Sequence, residues 1–180
     1  FILSANDDPL DCAEHLHVIR DYVFLSMDSR KLQNRFLAHL QGTMAESLLA
    51  ETESLNGRVG AYLAALAARL DYPVSFTHGD YASILLKALK FQPILDGRSP
   101  LERLMQYFDL FSGLFQEQCF VLVSAKTYFA EDALQQLYKM AAYQKWNLLL
   151  LESRASPPLP PEDCCIVDSD LCVLRLDFPD

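Results

Sequence analysis

The chain has 180 residues, of which 51% are hydrophobic, 22% charged and 11% aromatic; this is the composition of a folded globular protein and excludes a disordered or fibrous one. Fifteen basic against 24 acidic residues give a formal charge of −9, so any contact with a polyanion has to come from a local basic strip rather than from the average field. No apolar run approaches 18 residues, and no transmembrane helix is expected. The length suits one domain, or one domain with a sizeable appendage. The chain opens on Phe1-Ile2-Leu3 with neither an initiator Met nor a signal peptide, which reads as a fragment or a processed form.

The first 25 residues read as strands. Phe1-Ile2-Leu3-Ser4 is short and apolar, Asn6-Asp7-Asp8-Pro9 is a turn signal, and His15 to Ile19 has strand character, with Tyr22 to Leu25 as its continuation or the next element. Asp28 or Ser29 is placed to cap a helix. Apolar residues then recur at Leu32, Phe36, Leu40, Met44, Leu48, Leu55, Val59, Tyr62, Leu66 and Leu70. That is helical spacing sustained for about ten turns. It predicts one very long arm, or two helices meeting near Gly42 or Asn56-Gly57, ended by Pro73. The stretch from Ala61 to Ala68 is apolar over much of its surface and is expected to pack on another helix.

Asp80 caps a short helix through Leu89, and Gln92-Pro93 breaks it. Ser99, Pro100 and Glu102 start a further helix, Leu101 to about Phe115, with Leu104, Tyr107, Phe108, Phe111, Leu114 and Phe115 on one side; this helix could pair antiparallel with the long one. Cys119 to Val123 is a continuous apolar run, as in a strand buried on both faces. Ser124 to Phe129 is a loop, Ala130 to Tyr143 a helix, and Leu148 to Leu151 a second buried strand. Strand, helix and strand within about 34 residues make a βαβ crossover and imply parallel pairing. Pro157-Pro158-Leu159-Pro160-Pro161 is an extended connector, and Ile166-Val167 and Leu171 to Leu176 close the chain as strand. The expected architecture is α/β, with a sheet-containing head from residues 1–28 and 116–180 and a helical leg from residues 29–115 inserted in it.

Phosphate-loop chemistry is missing. Neither G-x-x-x-x-G-K-[ST] nor G-x-G-x-x-G occurs, and Gly113 is the last glycine, so the βαβ unit contains none. Glu152 stands at a strand end where an NTPase places its metal-binding acid; without the loop it reads as a strand-end polar residue. No nucleophile elbow, H-E-x-x-H or kinase set is present. The five cysteines include no C-x-x-C pair and read as free thiols in a reducing compartment. His15 and His17, two apart, would share a strand face, but no third metal ligand is signalled nearby. Basic residues cluster twice: Arg30, Lys31 and Arg35 in the first turns of the long helix, and Lys87 and Lys90 at helical spacing i, i+3. Pooled between subunits, these five would meet several phosphates; alone, they are solvated helix faces.

Several blocks together carry a resemblance: Phe1-Ile2-Leu3-Ser4 with Pro9-Leu10-Asp11; Leu25 through Asp28-Ser29-Arg30-Lys31-Leu32; Leu85-Leu86-Lys87-Ala88-Leu89; Phe120 through Phe129; Leu137-Tyr138-Lys139; and Tyr143 through Ser153. In order and spacing the chain resembles the CRISPR-associated accessory protein of type II-A spacer acquisition, the Csn-two family. The resemblance implies a P-loop-like α/β head without the phosphate loop, a long helical leg, and a ring-shaped homotetramer. Such a ring would hold double-stranded DNA ends without sequence specificity, with Arg30, Lys31 and Lys87 on its inner wall and Arg35 and Lys90 added from their geometry. It also implies work beside the integrase and the RNA-guided nuclease in a bacterial cytoplasm, and structural calcium, while the missing phosphate loop and the lack of a long apolar run lead to the expectation of no nucleotide and no membrane. Two departures stand out. The family has a strand and a helix before the Phe-Ile-Leu-Ser block, and its calcium-ligating stretch is acid-rich, whereas here only Asp71 and Asp80 are acidic within residues 71–80. Two other readings compete: a degenerate NTPase or nuclease using Glu152, and a scaffold that binds the integrase through an acidic head with weak DNA contact.

Overall fold

A computed structural model describes residues 4–5, 8–9, 11–116 and 118–176 of the chain. The predicted strand at Phe1–Leu3 and the Asn6-Asp7 half of the first turn signal lie outside the described residues. Two compact units emerge: Ser26–Ile94, and the flanking chain up to Leu25 and from Leu95 onward.

The sheet unit opens with a short antiparallel pair, β1 (Ser4–Ala5) and β2 (Asp8–Pro9), and one helical turn, α1 (Cys12–His15). Its centre is a three-stranded parallel sheet in the order β3 (Leu16–Ile19), β4 (Cys119–Val123), β5 (Asn147–Leu151). Leu16 faces Cys119, and Cys119 faces Asn147. The expected parallel βαβ crossover is therefore present between β4 and β5. As predicted, β4 is buried on both faces, with Phe120, Val121 and Leu122 all at 2% exposure or less. The same expectation fails for β5. It is an edge strand among the described residues, and Leu151 is half exposed. An apolar run cannot tell a central strand from an edge one, because only the neighbouring strand decides.

Helix α5 (Pro100–Leu114) begins as its sequence dictates. The Ser99 hydroxyl accepts from the Glu102 N–H (3.1 Å), and Pro100 takes the first turn, where its missing N–H is harmless. Leu101, Leu104, Tyr107, Phe108, Phe111 and Leu114 are buried along one stripe. The stripe meets the sheet: Phe108 stacks on Phe120 with centroids 4.2 Å apart and meets Trp146 edge-on at 5.2 Å. This helix was expected in the leg; the structure groups it with the sheet unit. The stripe was legible in the sequence, but its partner was not. Ser124 to Phe129 is not all loop, since Ala125–Tyr128 makes one turn, α6. Beside α5 runs α7 (Glu131–Gln144), which buries Leu134, Leu137, Tyr138 and Ala141. The last described elements form an antiparallel hairpin, β6 (Cys164–Val167) and β7 (Val173–Leu176).

His15 and His17 do not share a strand face. His15 ends α1, while His17 lies on β3. The His17 Nε2–H donates to Gln118 Oε1 (2.6 Å), and its ring meets Phe111 edge-on at 4.5 Å. It is an aromatic-cluster residue with a buried amide partner.

In the helical unit, α2 (Arg30–Ser47) and α3 (Leu49–Ala67) are separated at Leu48, whose φ of −127° and ψ of 27° leave the helical region. The long periodic run is thus two helices, but the break falls at neither Gly42 nor Asn56-Gly57. Both glycines sit inside helices with open space around them. Asn56 is instead a contact residue: its Oδ1 accepts from the Ala82 N–H (2.9 Å) of α4 (Tyr81–Ala88). Gln41 of α2 donates to Ser83 Oγ (3.2 Å) of the same turn. A straight helix would hold Gln41 and Asn56 roughly 22 Å apart. The elbow at Leu48 lets both reach adjacent residues of α4. Among the described residues no helix is long and apolar enough to cross a membrane.

Replacing Phe108 with Ala should cost about 3–5 kcal/mol, the usual range for emptying a buried aromatic site. Urea unfolding followed by Trp146 fluorescence measures it, because the indole lies against the ring being removed. A cost under about 1 kcal/mol would mean that α5 is not the cover of β4.

Candidate nucleic-acid interface

The division into units sharpens the charge pattern. Ser26–Ile94 carries seven basic and six acidic residues, for a net +1, and the sheet unit carries eight and eighteen, for a net −10. All five predicted basic residues belong to the helical unit, and all are exposed. Arg58 and Arg69 are further exposed basic residues of the same unit. They stand singly in the sequence, and only their membership of the unit groups them with the rest.

Helix α2 starts at Ser29, whose Oγ accepts from the Leu32 N–H (3.0 Å). Arg30 and Lys31 occupy its first turn, with no acidic residue there, and Arg35 lies one turn beyond Lys31. Cations at a helix start oppose the helix dipole, at about 0.3–1 kcal/mol each. The same arrangement concentrates positive potential at one end of α2.

Helix α4 is capped by Asp80. One carboxylate oxygen accepts from the Ser83 N–H (3.2 Å), the other bonds the Ser83 hydroxyl, and Asn56 Nδ2 donates to the first (3.3 Å). Hydrogen bonds from Ser83 hold the Asp80 carboxyl below the usual carboxylate range. Lys87 lies in the last turn of α4, where the dipole favours a cation. Lys90 does not share a helix face with Lys87. The Lys90 N–H donates to Lys87 O (3.2 Å) and the Phe91 N–H to Leu86 O (3.2 Å), so Lys90 occupies the left-handed position of a Schellman stop, with φ 51°. That position usually holds glycine. The i, i+3 spacing suggested a shared face because nothing local announces this stop. The Gln41–Ser83 contact joins α2 and α4; Arg35 lies about 9 Å along α2 from it and Lys87 about 6 Å along α4.

Asp71 and Asp80 do not fit a calcium site by themselves. The Asp80 oxygens already cap α4, no group of three or more Asp, Glu, His or Cys residues suited to a metal occurs among the described residues, and calcium takes 6–8 oxygen ligands.

At the carboxyl ends of β4 and β5, where a parallel sheet usually offers its ligand crevice, two carboxylates bind polar groups of α6. Ser124 turns the chain with φ 57° into α6. The Lys126 N–H donates to Glu152 Oε1 (3.0 Å), and the Lys126 ammonium pairs with Glu162 (2.6 Å). Glu152 is thus a structural acceptor. Burial, and to a lesser degree the Glu152 charge, raise the Tyr22 hydroxyl to about 12. Glu162 also accepts from the Tyr138 hydroxyl and the Leu159 N–H (2.9 Å). Burial works to raise its carboxyl, but the bonds from Lys126, Tyr138 and Leu159 outweigh it and hold the group below the ordinary range.

A family profile described as CRISPR-associated protein (Cas_Csn2) matches residues 1–171. No curated protein sequence matches the chain. Among solved structures, the chain is similar in fold to Stu0660 of Streptococcus thermophilus, with a TM-score of 0.50 and 13% identity over 85% of this chain. It spans about half the length of that protein, 51%. The profile match covers nearly the whole sequence, both sheet and helical units, and so the chain belongs to the Cas_Csn2 family of CRISPR-associated proteins.

Proposed function

We propose that this chain is a non-enzymatic, sequence-independent binder of double-stranded DNA ends. In this reading it acts as a homotetrameric ring in CRISPR spacer acquisition, beside the integrase and the RNA-guided nuclease. The observation that carries the reading is the segregation of charge. The helical unit is net positive with exposed Arg30, Lys31, Arg35, Lys87 and Lys90, while the sheet unit holds a net −10. Such a molecule meets DNA through the helical unit alone, because the other repels phosphate. Two small basic groups per chain bind weakly; four chains would line one lumen with twenty such side chains. The contacts would be with phosphates, which fix position but carry no base sequence. The apolar surface of the helical unit supports assembly. Ala61 to Ala68 does not find the helix cover its composition demands: α3 buries no residue fully, and Tyr62 (67%), Leu89 (71%) and Ile94 (73%) stay exposed in the single chain. A second reading, favoured by the acidic sheet unit, is a scaffold that docks a basic partner protein and touches DNA only weakly.

Linear duplex should shift in a gel whatever its sequence, and covalently closed circles should not. Equal affinity for both would remove the ring and leave the scaffold ahead. The double variant Lys87→Glu, Lys90→Glu should weaken binding to all sequences alike and flatten the plot of log affinity against log salt by about one unit for each lysine that meets a phosphate.

Lys90→Gly separates charge from fold. It should raise stability by about 1 kcal/mol by relieving the left-handed backbone, yet lower DNA affinity. Thermal unfolding and the same gel shift read the two effects.

Light scattering should give the mass of four chains at tens of micromolar. A monomer there would contradict the ring.

A further inference from the structure

We propose that Lys126, Glu162 and Tyr138 form a latch that fastens the carboxy-terminal β6–β7 hairpin to the sheet unit, and that its release frees the hairpin while the sheet remains folded. Three observations converge. The first is geometry: Glu162 is met by the Lys126 ammonium (2.6 Å), the Tyr138 hydroxyl and the Leu159 N–H (2.9 Å), and Lys126 also donates to Pro157 O (3.3 Å). One side chain thus gathers groups from α6, from α7 and from the proline-rich connector. The second is burial: the Lys126 and Glu162 side chains are 17% and 14% exposed, so water screens the pair only partly. The third is the hairpin itself. Among the described residues its hydrogen bonds run between its own strands and within its turn, where Asp168 accepts from Asp170 and Cys172. A lone two-stranded hairpin is marginal in water, and β6 starts two residues after Glu162. Val167, Leu171, Val173 and Leu174 are all more than half exposed and Cys164 and Ile166 only partly buried, so among the described residues no fully buried apolar side chain anchors the hairpin. The proline-rich stretch limits the conformations of the connector between latch and sheet, and when the latch opens the hairpin would move with the connector as one arm.

Glu162→Gln keeps the shape and removes the charge. Hydrogen exchange read by mass spectrometry should show the amides of β6 and β7 exchanging roughly tenfold faster or more, with β4 amides unchanged. Trypsin should cut after the exposed Arg154 faster by a similar factor. Lys126→Met should act alike, and the double variant should be no worse than either single one. Tyr138→Phe, which loses only a hydroxyl, should give a smaller change in the same direction and covers the case in which the charge variants fold poorly. Unchanged hairpin exchange in Glu162→Gln would overturn the latch. So would equal loss of protection in β4 and the hairpin, since the cluster would then be a general stabiliser of the sheet unit.

Discussion

The stack of Phe108 on Phe120 is the contact on which the sheet unit depends. Phe120 is the second residue of the central strand, and a three-stranded parallel sheet cannot stand with its faces in water. Only a broad apolar cover makes it stable, and α5 supplies one with six buried side chains on a single stripe. The rest follows from that placement. Trp146 meets Phe108 at the entry to β5, His17 closes against Phe111 at the start of β3, and α7 lies beside α5. The long excursion between β3 and β4 returns through α5, so this helix ends the excursion and covers the sheet at once.

The helical unit is organised by polar contacts at the start of α4. Few of its residues are buried, Leu32 and Ala82 among them. The Asn56 and Gln41 amides hold adjacent residues of one helical turn, and Asp80 caps that same turn. This gives the elbow at Leu48 its purpose: the chain bends so that two helices can grip a third. The grip also determines where Lys87 and Lys90 stand relative to Arg30, Lys31 and Arg35. A unit with so small a core and so much exposed apolar surface is poorly suited to stand alone.

The carboxyl end of the parallel sheet is closed by side chains of the chain itself. The Lys126 N–H meets Glu152, and its ammonium meets Glu162. Two carboxylates from the chain itself neutralise the positive groups, and the connector is tied across the strand ends in the process. These contacts hold α6, the end of β5 and the connector together.

Much of the local structure was legible in the sequence. Ser29, Asp80 and Ser99 cap the helices they announce, because a cap is a bond between residues three apart. The stripe of α5 and the parallel β4–α7–β5 crossover follow from periodicity and length. The five basic residues could be picked out as two clusters. Tertiary structure alone decided which surface each stripe met and what each polar residue was for. Phe108 finds Phe120, and α5 leaves the leg for the sheet. Asn56, a helix breaker by composition, becomes a clamp for α4. Lys90, at helical spacing from Lys87, falls beyond the helix end, and β5, as apolar as β4, becomes an edge. Each of these depends on a partner distant in sequence, and spacing along the chain holds no record of that partner until the fold brings it near.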